Sequence, residues 1–188
     1  MERMIDWMRS HEQKMLIWAN RRRTETRLHA MMDRWFSTVT HMGGATFTLL
    51  ASLLCALLAP QPWGTAGWQS LLAVIISHIP VAIVKRKFKR LRPYQAIEGV
   101  YTVPKPLQDS SFPSGHTTAV FAWSVPLLLT GTPLSYLLLP VMLLIAFSVG
   151  WSRMHLGLHY PSDVAAGAII GTATAFAVQY FWIVPAIS

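Results

Sequence analysis

Five apolar runs set the limits on what this chain of 188 residues can fold into. They cover roughly 44–59, 66–84, 113–130, 133–150 and 162–184, each near the ~20 residues a helix needs to cross the hydrocarbon of a bilayer, the first on the short side. Inside hydrocarbon a chain must satisfy its own backbone hydrogen bonds, and a helix does so within one run. The expected fold is therefore all-α, a polytopic membrane bundle of about five transmembrane helices. Pro80, Pro126 and Pro140 fall inside runs and are expected to kink their helices rather than end them. Composition agrees: 53% of residues are hydrophobic and only 13% charged, a balance foreign to a soluble domain of this size. A single cysteine, Cys55, excludes a disulfide framework and a cysteine metal site.

Residues 1–42 read differently from 43–188. Leu28, Met31, Met32, Trp35, Phe36 and Val39 gather on one arc of a helical wheel, with Arg27, Asp33, Arg34 and Thr38 pointing away. Met4, Ile5, Met8, Met15 and Leu16 make a less regular stripe upstream, broken by His11 and Glu12. With the arginine run Arg21–Arg23 between the stripes, the segment is expected to form amphipathic helices on an anionic lipid surface. These residues carry charges throughout and lack the apolar core and small-residue cleavage site of a signal peptide.

The formal charge of +8 would point to nucleic acid in a soluble protein. Here the cations sit beside apolar runs, which favours anionic lipid headgroups or an anionic substrate and no nucleic acid. Eight Lys or Arg precede Thr38, six more lie in 85–92, and Lys105 and Arg153 complete the set. With five spans, all of these fall on one membrane face, and the positive-inside rule puts that face in the cytoplasm.

Three polar clusters share that face. The first, KRKFKRLRP (85–93), offers point charges and planar guanidinium forks suited to phosphate; its bland reading is a membrane anchor. The second, SFPSGHTTAVFAW (111–123), opens a helix. Pro113 fits the first helical position, and the unpaired N–H groups of that first turn make a site for anions. Ser114 adds a hydroxyl, Gly115 lets an oxygen approach the backbone, and His116 can carry a proton. The third, SRMHLGLHYPSD (152–163), places Asp163 four residues after His159, within reach of a ring N–H. The other ring nitrogen is then left free as base or nucleophile. Arg153 supplies a further fork, and nothing assigns His155 a role.

Together the clusters resemble the signature of the type 2 phosphatidic acid phosphatase superfamily, K-x6-R-P, then P-S-G-H, then S-R-x5-H-x3-D. Lys85 leads to Arg92-Pro93, Pro113 to His116 is intact, and Ser152-Arg153 leads to His159 and Asp163 with both gaps correct. The resemblance implies a hydrolase acting on a lipid phosphate or pyrophosphate, such as phosphatidic acid, phosphatidylglycerophosphate or undecaprenyl pyrophosphate. It makes His159 the nucleophile that forms a phosphohistidine, Asp163 its orienting carboxylate, and His116 the acid and then base. Lys85, Arg92, Ser114, Gly115 and Arg153 would hold the phosphoryl oxygens, with no metal and no cofactor. Residues 43–188 would then be the catalytic domain and 1–42 an added interfacial segment. The family commonly has six spans and its bacterial members usually work on the extracytoplasmic face, against the cytoplasmic side that charge favours; both sides stay open. A rival class is an anion or lipid-phosphate transporter, for which intramembrane His78 could be cited, although packing is the plainer role for that residue.

Overall fold

The computed structural model describes residues 2–21 and 27–183. Arg22, Arg23 and Val184 lie outside the described residues, as do the side chains of Met4, Ile5 and Met8. The described residues form helices α1 (Glu2–Asn20), α2 (Arg27–Val39), a short 3-10 turn (Thr40–Gly43), α3 (Ala45–Leu58), α4 (Trp63–Lys87), α5 (Pro93–Ala96), α6 (Gly115–Leu128), α7 (Pro133–His155) and α8 (Pro161–Ile183). All five apolar runs are helical. α4, α7 and α8 up to Trp182 are long and apolar enough to cross a membrane. α3 qualifies only together with Arg27–Gly43, from which it is bent by 61°. α6 has 14 residues, about 21 Å of helix, short of the hydrocarbon thickness. The multi-pass membrane bundle therefore has three to four candidate spans rather than five equal ones.

Helix ends follow local chemistry. Thr132 caps α7 by accepting from the Ser135 N–H, with Pro133 in the first turn. Pro80, Pro126 and Pro140 lie inside α4, α6 and α7 and end none of them. α7 runs past the expected limit at 150 to His155, so Arg153 stands on a helix rather than in a loop.

α6 is the axis of the molecule. Val120 packs with Val39, Ala146 and Val149; Ala122 with Ala73, Val74 and Ala175; Leu127 with Ala66 and Met142. Its seam with α8 depends on two glycines one turn apart. A Cβ at Gly167 would stand 2.6 Å from the Ser114 carbonyl oxygen, and one at Gly171 would stand 2.3 Å from that of Thr118. Small residues four apart let backbones touch where hydrophobic exclusion of water is absent.

The amphipathic helices dock on the end of this bundle. Leu16 and Ala19 of α1 bury against Met154 and Tyr160. The Asn20 side-chain amide donates to the carbonyls of Tyr101 (2.9 Å) and His155 (2.8 Å) and accepts from the Tyr101 N–H (2.8 Å). His155 is the hub: one ring nitrogen meets the Ala19 carbonyl at 2.9 Å and the other the Asp33 carboxylate at 2.7 Å. Asp33 therefore turns inward, against the outward direction expected from the wheel. Val39 is buried and Phe36 half-buried, whereas Trp7, Trp18, Leu28, Met31 and Trp35 stay exposed.

Candidate active site

Backbone bonds draw the three polar clusters to one end of the bundle. The Ser114 N–H donates to the Asp163 carbonyl at 3.0 Å, tying the start of α6 to the start of α8. Leu158 and His159 N–H both donate to the Arg153 carbonyl, wrapping the 156–160 turn over the end of α7. The Ser111 N–H donates to the Arg90 carbonyl, which fastens the 97–113 loop to the basic run. Gly157 takes a positive φ of 64° in that turn, and a Cβ there would meet the Tyr101 carbonyl oxygen at 2.2 Å.

Arg92 is fully buried and organises the centre. Its Nε donates to the Asp109 carbonyl (2.9 Å), one Nη to Asp109 Oδ1 (2.6 Å), and the other to the Leu158 carbonyl (2.9 Å) while standing 3.1 Å from His159 Nε2. Lys85 Nζ reaches Asp109 Oδ2 at 2.5 Å, so this carboxylate bridges both cations. Burial works against its charge, but the hydrogen bonds and charges of Lys85 and Arg92 outweigh it and hold the Asp109 carboxyl below its ordinary range. Asp109 lies in the 97–113 loop, outside all three motifs.

His159 is fully buried in the 156–160 turn. Burial first, then the charges of Arg153, Arg92 and Lys85, hold its imidazole well below the ordinary value of 6.5. The ring is neutral at physiological pH. An Nε2 that accepts from Arg92 leaves the proton on Nδ1, which faces Asp163 Oδ2 at 3.5 Å. That is an ion-pair distance without hydrogen-bond geometry. The contact expected from the i, i+4 spacing exists but is looser than a direct bond.

Arg153 donates one Nη to Thr40 Oγ1 at 2.7 Å, while its buried Nε has no partner. Thr40 was missed because it precedes the first apolar run and belongs to no motif. Ser114 departs from expectation: it is the N-cap of α6, outside the first turn, with Oγ accepting from the Thr117 N–H (3.4 Å) and bonded to Thr117 Oγ1 (2.9 Å). The helix thus begins at Gly115, where an added Cβ would meet no atom within 4 Å. His116, half-buried in the first turn, backs onto Gly43, whose own Cβ would lie 2.7 Å from the His116 carbonyl oxygen. His78 lies apart, bonded to the Val74 carbonyl of its own helix at 2.8 Å. Among the described residues no three His, Cys, Asp or Glu side chains gather in a way that could hold a metal ion.

Below this polar end, an apolar groove of about 270 Å³ opens between α7 and α8, lined by Phe121, Phe147, Gly150, Met154, Val164 and Ala168 among others, with Met15 of α1 at its margin. Met154 and Val164 directly follow Arg153 and Asp163 in the chain. The lining is almost wholly hydrocarbon, so it suits an alkyl or prenyl chain and no headgroup.

The family model of the PAP2 superfamily matches residues 66–184, most of the chain and all three clusters. The chain belongs to the PAP2 superfamily. Among curated relatives of this PAP2 protein, the "Bacitracin transport permease protein BcrC" of Bacillus licheniformis is 33% identical over 119 residues, covering 63% of this chain and 56% of the relative. The decaprenylphosphoryl-5-phosphoribose phosphatase of Mycobacterium tuberculosis is 36% identical over 128 residues, covering 65% and 64%. The PAP2 chain thus spans less than two-thirds of the length of either relative. In structure it is similar to a transmembrane PAP2-type phosphatidylglycerolphosphate phosphatase from Bacillus subtilis. The TM-score is 0.74 at 22% identity, over 93% of this chain and 85% of the other.

Proposed function

We propose that this PAP2 protein is a metal-independent phosphatase that removes phosphate from a lipid phosphate or pyrophosphate through a phosphohistidine on His159. The observation that carries the reading is the contact of buried Arg92 with His159 Nε2, with Lys85 joined to the same cluster through Asp109 and the charge of Arg153 also acting on the ring. A neutral imidazole is the nucleophilic form, and three cations beside it suit a phosphoryl group more than any neutral ligand.

In this reading the phosphoryl oxygens take over the Arg92 and Lys85 donors held by Asp109, the unpartnered Arg153 Nε, and the N–H groups at the start of α6 beside Gly115. Arg92 leaves His159 Nε2, whose lone pair forms the N–P bond as the P–O bond to the lipid breaks. His116, protonated once the anionic phosphoryl group offsets the neighbouring cations, gives the leaving oxygen its proton, then takes one from water, whose oxygen attacks phosphorus and frees His159. Asp163 faces the ring as it turns positive. The groove between α7 and α8 supports a lipid tail entering sideways.

We further propose that residues 1–42 form an interfacial segment beside a catalytic unit of 43–188, and that the exposed aromatic and methionine side chains of α1 and α2 rest on anionic lipid. On the charge argument the site faces the cytoplasm. Cysteine substitutions on the 97–113 loop, labelled with an impermeant maleimide in oriented vesicles, test the side; labelling only from outside would reverse it.

The test of activity is phosphate release in detergent with EDTA on phosphatidic acid, phosphatidylglycerophosphate and undecaprenyl pyrophosphate, beside His159→Ala. Turnover that vanishes in the variant supports the phosphatase; turnover indifferent to it, or none on any lipid, rejects it. The transport reading has left to it the name of the Bacillus licheniformis relative, since His78 bonds within its own helix. It requires anion flux into proteoliposomes that survives His159→Ala.

A further inference from the structure

We propose that Arg90 is a positioning residue for His159, acting through Asp163, and that Glu12 on the interfacial helix α1 holds Arg90 to that task. Its chemical meaning rests on the phosphatase reading above.

Asp163 is fully buried, and its two oxygens are held separately. Oδ2 accepts from the Tyr160 N–H at 2.8 Å and faces His159 Nδ1 at 3.5 Å. Oδ1 accepts from Arg90 Nη1 at 2.8 Å. A carboxylate gripped by one oxygen can turn about its broad terminal torsion, whereas one gripped by both cannot. Arg90 therefore shares with the Tyr160 N–H in fixing which way Oδ2 points. The guanidinium is itself fixed from several sides. Nη1 also donates to Ser162 Oγ (2.7 Å), Nη2 donates to Glu12 Oε2 (2.7 Å), and the plane lies 4.0 Å over the Tyr160 ring. Glu12 closes the circuit by accepting from Ser162 N–H and Oγ–H.

Arg90 belongs to none of the three matched motifs, and its donors go to Asp163, Ser162 and Glu12 rather than to the Asp109 bridge where Lys85 and Arg92 meet. Only a planar fork serves two carboxylates and a hydroxyl at once. When Nε2 attacks phosphorus the imidazole becomes cationic, and the carboxylate facing Nδ1–H offsets that charge only while correctly turned. The helix that would lie on the membrane is thereby joined to the reacting ring through three side chains.

The test measures kcat, KM and vanadate inhibition on the best lipid substrate for Arg90→Gln, Arg90→Lys and Glu12→Gln. The same proteins, labelled at histidine with nitrogen-15 in micelles, report the His159 tautomer by NMR. For Arg90→Gln kcat should fall about tenfold, the scale of one charge-assisted hydrogen bond, with KM and vanadate inhibition little changed and the His159 Nδ1–H signal moved. Arg90→Lys should recover part of the loss, and Glu12→Gln, on a surface helix and so the safer variant for folding, should lower kcat in the same direction by less. A raised KM or weakened vanadate inhibition at constant kcat would make Arg90 a phosphate ligand and overturn the proposal, as would a His159 signal and kcat indifferent to both residues. If the wild type hydrolyses no lipid yet the His159 signal follows Arg90, the phosphatase reading fails and the positioning role stands.

Discussion

Arg92, His159 and Asp109 divide a small amount of charge among themselves, and each can be perturbed separately. Folded His159 resists protonation, while the same ring in the unfolded chain takes up a proton near 6.5. The unfolded state then binds more protons, so stability falls as pH drops below 6.5 and is constant above it. Thermal unfolding between pH 5 and 8 should show that slope, and His159→Gln should lessen it. Gly115 offers a second, cleaner perturbation. An added methyl meets open space and slightly favours the helix, so Gly115→Ala should leave the melting temperature unchanged or raised. If phosphoryl oxygens approach that backbone, the variant's KM should rise about tenfold, the scale of one lost hydrogen bond to an anion. An unchanged KM would remove Gly115 from the pocket.

Among the helices, the α6–α8 seam aligns the start of α6, which bears His116, with the start of α8, which bears Asp163 and follows His159. Gly171→Leu drives a side chain into the Thr118 carbonyl and should cost about 1–3 kcal/mol, the range for overpacking a close contact. A lower melting temperature with reduced activity is expected, and an unchanged one would mean the helices separate freely. This seam also marks how far the sequence could be read. The apolar runs, the prolines lying inside helices without ending them and the i, i+4 pairing of His159 with Asp163 are local signals, and the structure contains each. The GAIIG spacing of Gly167 and Gly171 was equally visible, but its partner strip on α6 is far away in sequence. Arg90, Thr40 and Glu12 were illegible for the same reason: their roles come from contacts across 70 to 150 positions of chain. Ser114 was misplaced by two steps because Pro113 was given the first helical position that Gly115 holds.

For the molecule as a whole, α1 and α2 form a collar clamped to the end of the bundle by His155, Asp33 and Asn20. His155→Ala removes the ligand of both Ala19 and Asp33, so limited proteolysis should cut within α1 and α2 faster while α4, α6 and α8 stay protected. Equal cutting rates would show that Asn20 and the packing of Leu16 on Met154 hold the collar without the imidazole. The bridge from Lys85 through Asp109 to Arg92 has a reach beyond local geometry. A pocket that already contains an anion recognises another by exchange, and an incoming group gains only by what it offers over a carboxylate. Singly charged anions then gain almost nothing, while a dianion satisfies both cations and a third besides. The bundle would thus sort its visitors by valence. Vanadate and phosphate should inhibit more strongly as they pass from monoanion to dianion, chloride and acetate hardly at all, and Asp109→Asn should blunt that ranking by letting the weaker anions in.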